Sequence, residues 1–81
     1  MEEKVRSLIE EKITSNGYIL DEVLYVEEDG IKFLRIIIDK EGFINVNDCV
    51  AVNNLIDPII DKIDIEESFI LDVCSKTKGS I

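Results

Sequence analysis

An Asp29-Gly30 step separates two stretches rich in β-branched and aromatic residues, and this arrangement constrains the fold more than any other feature. The stretches are residues 18–28, YILDEVLYVEE, and residues 31–39, IKFLRIIID. Such residues favour extended strands, and an Asp-Gly pair supplies the left-handed backbone that a tight hairpin turn requires. The sequence therefore predicts two antiparallel strands joined by a two-residue turn.

The segments on either side of this hairpin have patterns of their own. Residues 2 to about 15 begin with acidic residues and carry apolar residues at helical spacing, namely Val5, Leu8, Ile9 and Ile13. Near the other end, residues 68–74, SFILDVC, have the composition of a third strand. We expect a helix before the hairpin and a strand close to the C-terminus.

A second helix is predicted from Val46 onwards. Either Asn45 or Asn47 can cap it, and Asp48 lies where a negative charge favours the free backbone N–H groups. Its apolar residues keep a helical period that continues past Pro58. They are Cys49, Val50, Ile56, Ile59, Ile60 and Ile63. We expect one helix that is kinked near Pro58, or a helix that restarts with this proline in its first turn.

The resulting order, α-β-β-α-β, predicts an α+β fold, a two-layer α/β sandwich. Two helices cover one face of a three-stranded sheet. A right-handed crossover through the second helix sets the third strand parallel to the second and allows it to lie beside the first. We expect residues 1–75 to form this single domain and residues 76–81 to form a short C-terminal tail.

The chain is strongly acidic, with nine lysine and arginine residues against eighteen aspartates and glutamates and a net charge of −9. This charge repels nucleic-acid backbones and suits a basic protein partner, although many soluble proteins are acidic without having such a partner. No apolar stretch approaches the ~18 residues that a membrane-spanning helix needs, and residues 1–4, MEEK, lack the layout of a signal peptide. We expect a cytoplasmic protein that binds neither membranes nor, by itself, nucleic acid.

The sequence offers little for catalysis. It contains no histidine, and its four glycines build no phosphate-binding loop. Asp57, Asp61 and Asp64 share a helical face and could bind a hard cation, but a solvated polar face explains them better. Cys49 and Cys74 fit apolar patterns, so we expect reduced, packed thiols. We predict no enzyme activity, no cofactor and no metal site.

The predicted sheet has one face that is too apolar for water. If Leu34, Ile36 and Ile38 point towards the helices, strand alternation turns other residues to the opposite face: Phe33, Arg35 and Ile37, with Leu24, Val26, Ile70 and Cys74 from the neighbouring strands. A shift of register is the alternative, because Leu20 and Val23 imply a bulge in the first strand. Such a face is expected to contact a partner, a second copy of the chain or a further domain.

Several motifs resemble the N-terminal domain of the bacterial ribosome maturation factor RimP family. NGYILDEVLYVEEDG resembles the family's Gly-Tyr followed by an apolar and acidic strand. FLRIIIDKEGFINVNDC is similar to its Leu-Arg-x-x-Ile-Asp-x-x-Gly-x-x-x-x-x-Asp-Cys pattern, and FILDVCS is similar to its Leu-Glu-Val-Ser-Ser. Members of the family carry a second, small β-barrel domain after a Ser-Pro-Gly-Leu-Asp-Arg-Pro-like junction, where this chain has SKTKGSI.

The resemblance implies a non-catalytic ribosome maturation factor, or a fragment or short relative of one, that assists assembly of the small ribosomal subunit by binding one of its basic ribosomal proteins. On this hypothesis the candidate partner-binding residues are Phe33, Arg35, Ile37, Asp39 and Asp48. The alternative is a protein-interaction module that homodimerises through its open sheet face.

Overall fold

The computed structural model describes residues 2–63 and 68–76, which form a three-stranded sheet and two helices. The elements in chain order are α1 (Glu2–Ser15), β1 (Ile19–Glu28), β2 (Ile31–Asp39), α2 (Val46–Asp61) and β3 (Ile70–Ser75). This order confirms the predicted α+β fold.

The β1–β2 hairpin forms as predicted. Glu28 pairs with Ile31, so Asp29 and Gly30 alone make the turn, with φ angles of 53° and 79° respectively. Both angles lie in the left-handed region that a tight hairpin turn requires at its two central positions. Glycine adopts such a backbone without strain, and aspartate is one of the few other residues that tolerate it.

The sheet has the strand order β1-β2-β3, with β3 parallel to β2. The parallel orientation confirms the prediction, but the position beside the first strand is wrong. β2 contains three consecutive isoleucines, and the central position lets Leu34, Ile36 and Ile38 become fully buried. The crossover rule fixes the handedness of the connection and not the edge that the returning strand joins.

The core lies between the sheet and the helices. Its fully buried side chains are Val5, Ile9 and Ile13 of α1, Leu34, Ile36 and Ile38 of β2, and Val52 and Ile56 of α2. In α2 the buried stripe continues to Ile60, whereas Val50, which the predicted period included, is 52% exposed. Leu8 of α1 is 46% exposed and lies at the edge of the apolar stripe.

The bulge that Leu20 and Val23 imply in β1 is present, and Leu24 and Val26 nevertheless lie opposite Arg35 and Phe33, as the predicted apolar face requires. The register shifts between Leu20 and Glu22, and the buried residues Leu20 and Val23 both contribute to the core. One extra residue at this point returns the strand to regular alternation. From Glu22 onwards, even-numbered residues of β1 therefore face away from the helices.

α2 begins with a capping box. The Asn45 side chain accepts a hydrogen bond from the Asp48 N–H at 3.1 Å, and the Asp48 carboxylate accepts one from the Asn45 N–H at 2.9 Å. Asn47 is therefore not the cap. The helix continues through Pro58 without restarting. Pro58 and Asn54 are both exposed, so solvent can satisfy the carbonyl that proline leaves without a donor.

The predicted C-terminal tail lies outside the described residues except for Lys76. The backbone N–H of Lys76 donates to the carbonyl of Ile38 at 2.8 Å and extends the β2–β3 ladder by one bond.

Candidate functional site

One face of the sheet has no covering layer among residues 2–63 and 68–76. Because Leu34, Ile36 and Ile38 point into the core, their neighbours in β2 turn to the other side, and the register brings residues of β1 and β3 beside them. We call this surface the open face. It consists of Ile19, Glu22, Leu24, Val26, Glu28, Ile31, Phe33, Arg35, Ile37, Asp39, Ile70, Asp72 and Cys74.

The centre of the open face is apolar. Val26 pairs with Phe33 across the β1–β2 ladder, and Phe33 pairs with Ile70 across the β2–β3 ladder. Leu24 and Ile37 lie further along the same face, each half-buried. A sheet face that meets only water normally carries polar side chains at these positions. We call these five residues the apolar strip. Apolar surface of this kind is typical of a region that another protein covers.

Arg35 lies in the middle of the strip and is held by two carboxylates. Its Nε donates to Asp72 Oδ2 at 3.1 Å, and its Nη2 lies 3.6 Å from Glu28 Oε1. The guanidinium carbon is 5.7 Å from the centre of the Phe33 ring. The hydrogen bond to Asp72 raises the pKa of Arg35, against the effect of desolvation and with a further contribution from Glu28. The positive charge of Arg35 is therefore balanced within the chain.

Acidic side chains outnumber basic ones on this face. The open face carries four carboxylates and one guanidinium, so its net charge is negative. The carboxylates belong to Glu22, Glu28, Asp39 and Asp72. A shallow depression between the strands is lined by Asp21, Glu22, Leu24, Arg35, Ile37, Asp72, Cys74, Ser75 and Lys76. At its rim, Lys76 Nζ lies 3.1 Å from Asp21 Oδ1. The face thus combines an apolar strip with excess negative charge.

The five predicted partner-binding residues fall into two places. Phe33, Arg35, Ile37 and Asp39 alternate along β2 and share the open face. Asp48 lies in the first turn of α2, on the helix side of the molecule. The structure therefore brings four of these residues together and separates the fifth.

Asp48 belongs to a small polar network. Its Oδ1 accepts hydrogen bonds from the Tyr18 hydroxyl at 2.8 Å and from Lys40 Nζ at 3.1 Å. The hydrogen bond from the Asn45 backbone contributes most to lowering the pKa of Asp48, followed by the one from Tyr18, while desolvation opposes them. The same contact with Asp48 raises the pKa of the Tyr18 phenol. These contacts join the chain before β1 to the start of α2.

Three apolar side chains near the start of α2 are exposed, and the predicted pattern did not identify them. Phe43 is 81% exposed, Val46 is 76% exposed and Val50 is 52% exposed. Val46 and Val50 are four residues apart and therefore lie on one side of the helix, away from the stripe that contains Val52. The apolar residues that follow Val52 at intervals of four form the buried side of α2. This spacing in the sequence distinguishes that side from the exposed side with Val46 and Val50.

The cysteines are half-buried thiols. Cys49 packs against the core, where desolvation raises its pKa and the charge of Asp48 adds to the effect. A raised pKa leaves less thiolate at neutral pH, so the environment of Cys49 does not activate it. Cys74 lies on the open face beside Ile37.

The hypothesis of a hard-cation site concerns Asp57, Asp61 and Asp64. Asp57 and Asp61 line a depression beside Phe69 and Leu71, and Asp64 lies outside the described residues. Over residues 2–63 and 68–76, no three cysteine or carboxylate side chains come close enough together to hold a metal ion.

Neither α1 nor α2 is long and apolar enough to cross a membrane, and no other helix occurs in the described part of the chain.

The family model of the RimP N-terminal domain matches residues 8–76, which include most of α1, the whole sheet and α2. The matched region contains the open face and the Asp48 network. On this match, the chain belongs to the RimP N-terminal domain family, a family of ribosome maturation factors.

Proposed function

We propose that this protein is a non-catalytic, cytoplasmic ribosome maturation factor that assists small-subunit assembly by binding a basic ribosomal protein. Membership of the RimP family supports the role in maturation. The observation that carries the proposed binding mode is the open face, where an apolar strip lies among excess carboxylates. We propose residues 1–75 as the binding unit.

The two features of the open face would act at different stages of binding. Carboxylates attract a basic protein over a distance of about one Debye length, roughly 10 Å at 0.1 M salt, and they orient it. The apolar strip then supplies the desolvated centre from which most of the affinity of an interface arises. The proposed contacts are Phe33, Arg35, Ile37 and Asp39.

Asp48 has a different part in this proposal. Its contacts with Tyr18, Lys40 and Asn45 fix the start of α2 relative to the end of β2. We propose that Asp48 contributes indirectly, by holding the connection that follows Asp39.

Homodimerisation through the open face is the second candidate, and the apolar strip favours it. Charge opposes it, because two copies would bring Glu22, Asp39 and their equivalents together in one interface. Like charges in contact cost energy unless basic groups separate them. A basic partner satisfies both the apolar strip and the carboxylates, so we favour it over a second copy.

A pull-down from cell lysate tests the proposed function. The tagged chain is used at about 50 mM and about 500 mM salt, with and without ribonuclease, because screening weakens acidic–basic contacts as salt rises. We expect small-subunit ribosomal proteins to be retained at low salt, to survive ribonuclease treatment and to be released at high salt. Failure to retain any ribosomal protein or pre-subunit at low salt would refute the proposal.

Sedimentation separates the two candidates. A basic-partner module should remain a monomer at high micromolar concentration, whereas a homodimerising module should show a concentration-dependent increase in mass.

A further inference from the structure

Two depressions lie between α2 and β3, along one edge of the sheet. The first is lined by Val46, Cys49, Val50, Asn53 and Val73. The second is lined by Asp57, Ile60, Asp61, Ser68, Phe69 and Leu71. We call them together the edge groove. The groove lies on the helix side of the sheet and is separate from the open face.

The end of the edge groove near the start of α2 is apolar. Val46 and Val50 project beside Val73 of β3, and both valines are more than half exposed. Exposed valines at this spacing do not contribute to the core, which α2 contacts through Val52, Ile56 and Ile60. Their arrangement suits apolar side chains from outside the chain.

The other end of the edge groove is acidic. Asp57 and Asp61, one turn apart on α2, lie beside Phe69 and Leu71 at the beginning of β3. α2 itself contains no lysine or arginine, and Lys62, its C-cap, does not line this depression. The groove therefore changes from apolar to negative along its length, and this order gives a bound segment a preferred direction.

β3 also presents backbone groups along this edge. Within the described residues β3 pairs with β2 on one side only. Lys76 donates its N–H to Ile38, so by alternation the N–H groups of Leu71 and Val73 point away from β2. The side chains of these two residues line the edge groove. A strand placed there would find both hydrogen-bonding groups and an apolar floor.

We propose that the edge of β3 accepts an extended segment of a basic protein as a fourth strand. Strand addition to an open sheet edge uses main-chain hydrogen bonds for affinity and side-chain pockets for specificity. The segment lies antiparallel to β3, the more stable pairing, with alternate apolar residues over Val46, Val50 and Val73. Its C-terminal end carries lysine or arginine, which lies beside Asp57 and Asp61.

This inference deepens the proposed function, since the segment belongs to the same basic partner. The edge groove specifies the chain direction of that segment and the order of its apolar and basic residues. The open face specifies neither.

The test uses two synthetic peptides, acetylated and amidated at their ends: Thr-Val-Thr-Val-Thr-Val-Lys-Lys and the same peptide with two glutamates in place of the lysines. Amide hydrogen exchange of the labelled chain is followed by NMR. With the lysine peptide we expect exchange at Leu71 and Val73 to slow by about tenfold or more. We expect Val50→Lys to weaken binding by about tenfold, and Leu8→Lys, the same change on an exposed residue of α1, to leave it unchanged.

Several results would overturn the proposal. They are no slowing at Leu71 and Val73 with about 1 mM lysine peptide, equal binding of the glutamate peptide, and perturbation confined to the open face. Protection of the same amides that depends on chain concentration without peptide would show that a second copy occupies the edge. Because the probe is a synthetic peptide, each of these results is independent of whether the lysate experiment retains a ribosomal protein.

Discussion

Arg35 and Asp48 show how the surroundings of a charged residue decide its part in the molecule. Both belong to the predicted partner-binding set. Arg35 lies on the open face, where Asp72 and Glu28 balance its charge. It therefore holds these two carboxylates in place and is also directed outwards. Asp48 accepts hydrogen bonds from Tyr18, Lys40 and the Asn45 backbone, and its side chain is only 13% exposed. Its interactions are mainly internal.

The pH dependence of stability tests this view of Asp48. Native contacts lower its pKa below the unfolded-state value of about 3.9. They therefore stabilise the fold fully above that pH, and their contribution is lost as the pH falls through the lower folded-state pKa. Asp48→Asn should reduce the free energy of unfolding most at neutral pH. The difference from the wild type should shrink below about pH 4.

Urea unfolding at several pH values measures this difference. Asp57→Asn is the matched control, because Asp57 lies on the same helix and is exposed. A difference between wild type and Asp48→Asn that stays constant from neutral to acidic pH would contradict the assignment.

Among the helices and strands, the features that the sequence predicted correctly are mostly those that interactions between neighbouring residues determine. The Asp29-Gly30 turn, the Asn45 cap and the β1 bulge each depend on a few neighbouring residues. The position of β3 beside β2 and the exposure of Val50 depend on packing between distant segments. The predicted apolar period of α2 included Val50 and omitted Val52, so it did not separate the buried side of the helix from the exposed side.

The N-cap of α2 gives a prediction at this scale. Asn45→Ala removes the acceptor for the Asp48 N–H and should lower the free energy of unfolding by about 1 kcal/mol, as loss of an N-cap typically does. Asn47→Ala is the control, because Asn47 is exposed and does not cap the helix. Chemical denaturation of both variants measures the effect. Equal losses in the two variants would show that the cap is misassigned.

In the part of the molecule that the structure describes, the sheet is covered on one side and open on the other. The sequence predicted this, because Phe33 and Ile37 alternate with the core residues of β2. It did not predict the edge groove, since that groove requires α2 and β3 to lie side by side in a definite register. The open face and the edge groove meet at β3, so one basic partner could contact both.

The proposed function requires that the open face bind a component of the small ribosomal subunit. The most direct test compares the affinities of wild type, Ile37→Lys and Leu8→Lys for purified small-subunit precursor at low salt. Both variants add one positive charge, but only Ile37 lies on the open face. We predict that Ile37→Lys weakens binding by about tenfold or more while Leu8→Lys binds like the wild type. Equal affinities for all three proteins would show that the open face does not bind the precursor.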